Sequence, residues 1–133
     1  MNYFEPHLTP DELRAISAIG LAHMGDAVYE TLVRTWLCVH GKATGKELHR
    51  ATIALVCAQK QAELAQRVLP QLTEEELVVY KRGRNANVHA MPRSATPAQY
   101  HAATGLECLM GWLYLRGDKE RAEQLFRAMM EEE

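Results

Sequence analysis

The sequence predicts an all-α protein: about seven helices, packed as a single domain over 1–133. Three observations lead there. First, four threonines each stand three residues before a glutamate or glutamine: Thr9 with Glu12, Thr44 with Glu47, Thr73 with Glu76 and Thr96 with Gln99. That spacing satisfies the orphan backbone donors at a helix start. Second, apolar residues recur at threes and fours, as the helical repeat requires. Third, no alternating run bounded by turn residues competes as a strand. With 133 residues, 47% of them apolar, the chain can bury one core of its own.

The elements follow in order. Thr9-Pro10 opens a first helix over 10–19, with proline suited to the first helical position. Leu21, Met24, Val28, Leu32 and Trp36 carry a second over 21–39, which stops at His40-Gly41. Thr44 starts a third over 45–56, and a fourth covers 58–69 up to Leu69-Pro70. The break between these two has the faintest signal. Thr73 caps a fifth over 74–84, and Thr96 a sixth over 97–116, where Leu106, Leu109, Met110 and Leu113 keep the period. Arg116-Gly117 ends that helix, and a seventh runs over 118–131. The long segment 85–96 reads as a functional loop.

Composition excludes several classes. No apolar run is long enough to cross a membrane, and the start lacks a signal peptide's charged and apolar regions, so a cytoplasmic protein is expected. Cys38, Cys57 and Cys108 form no C-x-x-C pair and read as small buried side chains. The net charge of −2 gives no global pull toward nucleic acid. Its distribution is more informative. No acid lies between Glu76 and Glu107, while Lys81, Arg82, Arg84 and Arg93 fall there with His89 and His101. Such a stretch suggests local anion binding; a solvated charge cluster is the alternative.

Two acids sit where solvation disfavours them. Asp26 interrupts the apolar run of the second helix, and Glu107 that of the sixth. Gly25 precedes the first, and Gly105 and Gly111 bracket the second. A mid-helix glycine costs about 1 kcal/mol relative to alanine, and close approach by another backbone is one compensation. If glycines let the two helices cross closely, both acids could reach one cation. Magnesium fits, since it takes one or two carboxylates, keeps several waters and accepts phosphate oxygens. The competing reading leaves both acids facing solvent or paired with arginine. Glu30, one turn past Asp26, either supports the site or solvates its helix.

These same residues resemble a known family. Met24-Gly25-Asp26-Ala27-Val28 is similar to the signature of the ribonuclease III family, an apolar residue followed by Gly-Asp-Ala-Val. Leu106-Glu107-Cys108-Leu109-Met110-Gly111 resembles its second acidic motif, Val-Glu-Ala-Leu-Ile-Gly. The stretch from Glu47 to Val56 is similar to the intervening helix. Lys81-Arg82-Gly83-Arg84-Asn85-Ala86 looks like the mark of the short branch, Mini-ribonuclease III, which lacks a double-stranded-RNA-binding domain. The likeness spans roughly 10–127. Full-length members carry a glutamate four residues before the aspartate, where this chain has Ala22. They carry an aspartate three residues before the glutamate, where it has Thr104.

The resemblance implies a homodimer with one active site per subunit, and His23 at the dimer seam. It implies Asp26 and Glu107 as catalytic acids holding Mg2+, directly or through water, and hydrolysis of double-stranded RNA to 5′-phosphate and 3′-hydroxyl ends. Cuts on opposite strands would leave short 3′ overhangs. Lys81, Arg82, Arg84 and Asn85 would contact phosphates, and a loop through Arg93 would close over the minor groove. The branch suggests maturation of large-subunit (23S) ribosomal RNA precursor, with a ribosomal protein as a candidate partner. Loss of acids at Ala22 and Thr104 keeps open a non-catalytic duplex-RNA-binding or ribosome-assembly module on the same fold. A helical protein-interaction domain unrelated to RNA is a third reading.

Overall fold

A computed structural model describes residues 1–87 and 93–131. Seven α-helices occupy those residues, with no strand among them. They are α1 (Pro10–Arg14), α2 (Ala18–Val39), α3 (Gly45–Val56), α4 (Ala58–Val68), α5 (Glu74–Arg84), α6 (Pro97–Leu115) and α7 (Lys119–Met129). A short 3-10 turn, Leu69–Gln71, carries Pro70 after α4. The threonine caps form as predicted. Thr9, Thr73 and Thr96 complete reciprocal capping boxes, and Thr44 accepts from the Glu47 N–H.

One boundary differs clearly. The first helix ends at Arg14 instead of running on to residue 19. Ser17 is extended and accepts from the Gly20 N–H at 2.9 Å, so it caps α2, which therefore starts at Ala18. The α3–α4 break is a single extended residue, Cys57.

The core is built around α6. Leu106, Cys108, Leu109, Met110 and Leu113 are fully buried, and α2, α4, α5 and α7 pack around that helix. The buried stripe of α2 comprises Leu21, Ala22, Gly25, Tyr29, Val33 and Leu37. Met24, Val28, Leu32 and Trp36, which carry the helical period in the sequence, form a second stripe beside it and are only half-buried. Tyr29 is fully buried, yet its hydroxyl donates to the Leu55 carbonyl at 2.7 Å. That bond ties the end of α3 to α2 and satisfies the phenol inside the core.

The cysteines and one capping acid depart from their expected settings. Only Cys108 is buried; Cys38 and Cys57 are exposed, because both lie on the outward side of their elements. Glu76, read only as a capping partner, is itself buried at 5% exposure. It receives Arg121 through two bonds, at 2.8 and 2.9 Å, which join α5 to α7. The Arg121 guanidinium holds its carboxyl below the usual range.

Candidate active site

Asp26 and Glu107 come together because their helices touch main chain to main chain. A Cβ at Gly25 would overlap the Glu107 carbonyl oxygen, and would lie 2.8 Å from the Gly111 nitrogen. A Cβ at Gly111 would overlap the Leu21 carbonyl oxygen. No side chain larger than hydrogen fits either place. Gly105 serves a different contact: its missing Cβ faces the Tyr80 ring at 2.8 Å, on α5. Gly83, inside the basic segment, meets α6 in the same crossing; a Cβ there would lie 2.5 Å from the Cys108 Cβ and 2.9 Å from the Thr104 carbonyl oxygen.

The two carboxyls line the same cleft, and the Asp26 side chain favours the protonated form of Glu107. Burial, the bond to Asp26 and the Asp26 charge push the Glu107 carboxyl up to about 8. The Gln61 amide opposes this by donating to Glu107. Like charges this close resist joint ionisation, so the pair suits a bound proton or a cation. Among the described residues no arginine pairs with Asp26. Glu30 is bonded to Arg34 at 2.6 Å and takes no part in the site.

The pair opens into a cleft of about 540 Å³. Its walls come from α2 (Ala22, His23, Asp26), the α3–α4 junction (Val56, Cys57, Gln61) and α6 (Tyr100, Thr104, Glu107). Ser94 joins from the preceding loop. Ala22 and Thr104, where longer family members are expected to carry acids, line this same space. Thr104 turns its hydroxyl hydrogen to the Tyr100 carbonyl at 3.0 Å. The donors facing the cleft are thus hard oxygens with one amide, a set suited to magnesium rather than to zinc. No cluster of three or more His, Cys, Asp or Glu able to hold a metal occurs among the described residues. Any cation here therefore rests on two acids plus water or substrate oxygen.

The remaining sequence-predicted residues, His23 apart, lie around the cleft rather than in its lining. His23 is exposed at its α2 edge. Lys81, Arg82, Arg84, Asn85 and Arg93 are exposed, and none of them lines it. Arg84 donates to Asn85 at 3.3 Å and lies 5.9 Å from the centre of the Tyr80 ring. Arg82 faces another groove, shared with Arg14, Arg116 and Trp112. His89 lies outside the described residues. Gln61 is the site residue that the sequence did not single out. Its surroundings, Ala58-Gln59-Lys60-Gln61-Ala62, give Gln59 and Gln61 no distinguishing pattern.

Known proteins share both the sequence and the fold. The Ribonuclease III domain matches residues 20–118. Mini-ribonuclease 3 of Symbiobacterium thermophilum is 45% identical over 108 residues, covering 81% of this chain and 83% of that protein. Mini-ribonuclease 3 of Enterococcus faecalis is 43% identical over 116 residues, with 86% and 88% covered. An X-ray structure of a protein from Fusobacterium nucleatum superposes with a TM-score of 0.81 at 29% identity, covering 90% of this chain and 96% of that one. With both acidic motifs inside the matched region and meeting in one cleft, the chain belongs to the ribonuclease III family of endoribonucleases.

Proposed function

We propose that this protein is a magnesium-dependent endoribonuclease that cuts double-stranded RNA, with Asp26 and Glu107 as its catalytic pair. The observation that carries the reading is that these two acids line one open cleft, where α2 and α6 touch main chain to main chain. Asp26 and Glu107 would hold the cation. When bound it would supply Lewis-acid chemistry, making water a better nucleophile and offsetting negative charge on the phosphate. The rest falls to the chain. Gly25 and Gly111 fix the spacing of the acids, and the half-buried setting of Glu107 strengthens its attraction to a cation. The products are 5′-phosphate and 3′-hydroxyl ends.

Duplex RNA is gripped through its phosphates and 2′-hydroxyls. Lys81, Arg82, Arg84, Asn85 and Arg93 are exposed cations and amides near the cleft's helices, and serve as phosphate contacts. With so few cations per subunit, binding is modest and strongly weakened by salt. A homodimer would bring two sites to opposite strands. The half-buried second stripe of α2 supports it. Met24, Ala27, Val28 and Leu32 line an apolar groove with Phe4 and Tyr114, beside exposed His23. Within this reading the substrate is precursor 23S ribosomal RNA, a ribosomal protein is a partner, and the compartment is the cytoplasm. No helix among the described residues is long and apolar enough to cross a membrane.

The test is cleavage of a long RNA duplex with magnesium, against an EDTA control and an Asp26→Asn variant. The variant is expected to lose at least about 1,000-fold in rate while keeping its melting temperature, as removal of a metal ligand should. Cutting by Asp26→Asn at the original rate removes Asp26 from the chemistry. Tight duplex binding with no magnesium-dependent cutting by the unsubstituted chain assigns a non-catalytic RNA-binding module instead.

A further inference from the structure

Gln61 is a buried polar side chain that a two-acid site does not by itself require. It is 2% exposed, in the first turns of α4, and it lines the cleft. Its Nε2 donates to the Val56 carbonyl at 2.8 Å, and Glu107 lines the same cleft, where the amide favours its charged form. The Val56 bond commits one hydrogen of the amide and leaves the other for the carboxylate. It also fixes the orientation, because the reverse rotamer would set Oε1 against the Val56 oxygen. Oε1 is left buried and without a partner. An unpaired buried acceptor costs about 1–3 kcal/mol, so packing alone would favour methionine or leucine here.

We infer that Gln61 is a positioning residue of the acidic site. It pins the Glu107 carboxylate from the α4 side, and offers Oε1 as an acceptor to the hydration shell of a divalent cation held by Asp26 and Glu107. The inference rests on the proposed metal-dependent activity. Three observations support it together: the Val56 bond that fixes the amide, the orphaned acceptor, and the neutral residues Ala22 and Thr104 in the same lining as Glu107. A cation on two carboxylates keeps several waters, and their hydrogens need acceptors that these neutral neighbours do not supply as charge. The Val56 bond makes Gln61 rigid. The amide is anchored at the end of α3, next to the Leu55 carbonyl that Tyr29 holds. A rigid acceptor costs little ordering when the cation arrives.

Gln61→Met keeps the length of the side chain and removes both the donor and the acceptor. Manganese(II) binding to the protein without RNA, by calorimetry, is expected to weaken about ten-fold or more in this variant. The magnesium concentration for half-maximal cleavage should rise by a similar factor, with the KM for RNA duplex at saturating magnesium held within about two-fold. Gln61→Glu retains an oxygen at the position, and is expected to bind manganese at least as tightly as the unsubstituted chain. If Gln61→Met does not fold, as judged by circular dichroism, the Gln61→Glu measurement decides. Unchanged manganese affinity in Gln61→Met, or a ten-fold loss in Gln61→Glu, overturns the assignment. An unsubstituted chain that binds no manganese and cuts RNA equally well in EDTA overturns the metal reading itself, which is a separate result.

Discussion

α2 and α5 both reach α6 through paired glycines, and the two crossings end differently. Where α2 meets α6, Gly25 and Gly111 let backbone lie on backbone, and the crossing opens at Asp26 and Glu107 into solvent. Where α5 meets α6, Gly83 and Gly105 face the Cys108 Cβ and the Tyr80 ring as well as main-chain atoms, so the seam is shared between side chain and backbone. The first crossing holds acids in a cleft. The second turns Lys81, Arg82 and Arg84 outward from a sealed contact. Close packing alone therefore does not make a site. A site arises where the tight crossing leaves polar groups at an open edge.

Alanine substitutions test that contrast most severely. Gly25→Ala or Gly111→Ala drives a methyl into a backbone carbonyl, which cannot move without separating the helices. Each is expected to abolish folding or to cost more than about 4 kcal/mol in denaturant titration. Gly83→Ala or Gly105→Ala meets side-chain and main-chain atoms together, none nearer than 2.5 Å, and should cost less, about 1–3 kcal/mol. Equal losses at all four positions would erase the distinction.

α5 and α6 also carry glutamates with opposite acidities. Glu76, on α5, is lowered by Arg121, so its contribution is present above the unfolded value of 4.5 and is lost as pH falls through the lowered one. Glu76→Gln leaves Arg121 without its partner and should cost about 2–3 kcal/mol at neutral pH, measured by thermal or chemical melts. Glu107 behaves in reverse. Its carboxyl is raised from 4.5 to about 8, so its stabilising protonated form is fully present below 4.5 and lost as pH climbs through 8. Without divalent metal, the melting temperature should decline across that window, and Glu107→Gln should flatten the decline. A decline that persists in Glu107→Gln assigns it to other groups.

The smallest effect belongs to the basic face. Replacing Lys81, Arg82 and Arg84 with alanine should leave the melting temperature unchanged. It should weaken duplex RNA binding and reduce the salt slope by roughly 0.7–0.9 for each phosphate no longer neutralised. An unaltered slope makes these cations surface charge with no part in RNA binding.

Much of this was legible in the residues themselves. The threonine caps marked helix starts because capping is local chemistry within four residues. Asp26 and Glu107 stood out because charge in an apolar run is conspicuous. Ser17 was overlooked as a cap because the apolar period runs past it in both directions. Gly105 was grouped with Gly111 by sequence proximity, yet six positions along a helix turn a residue to another face, toward Tyr80. Gln61 had no local signal, since its role comes from where the Cys57 break aims α4. The half-buried stripe of Met24, Val28, Leu32 and Trp36 marked the helix without marking its cover, because periodicity reports apolar faces without saying what lies on them.

Backbone contact at the α2–α6 crossing has one further consequence. Because no side chain is interposed, the gap between Asp26 and Glu107 is gauged by the thickness of two polypeptide chains. Resizing neighbours such as Val33 or Leu109 can loosen the interior without resetting that gauge. The placement of the acid pair is thereby insulated from drift in the surrounding hydrophobic residues, and its vulnerability is concentrated in two positions where a single methyl group is too large.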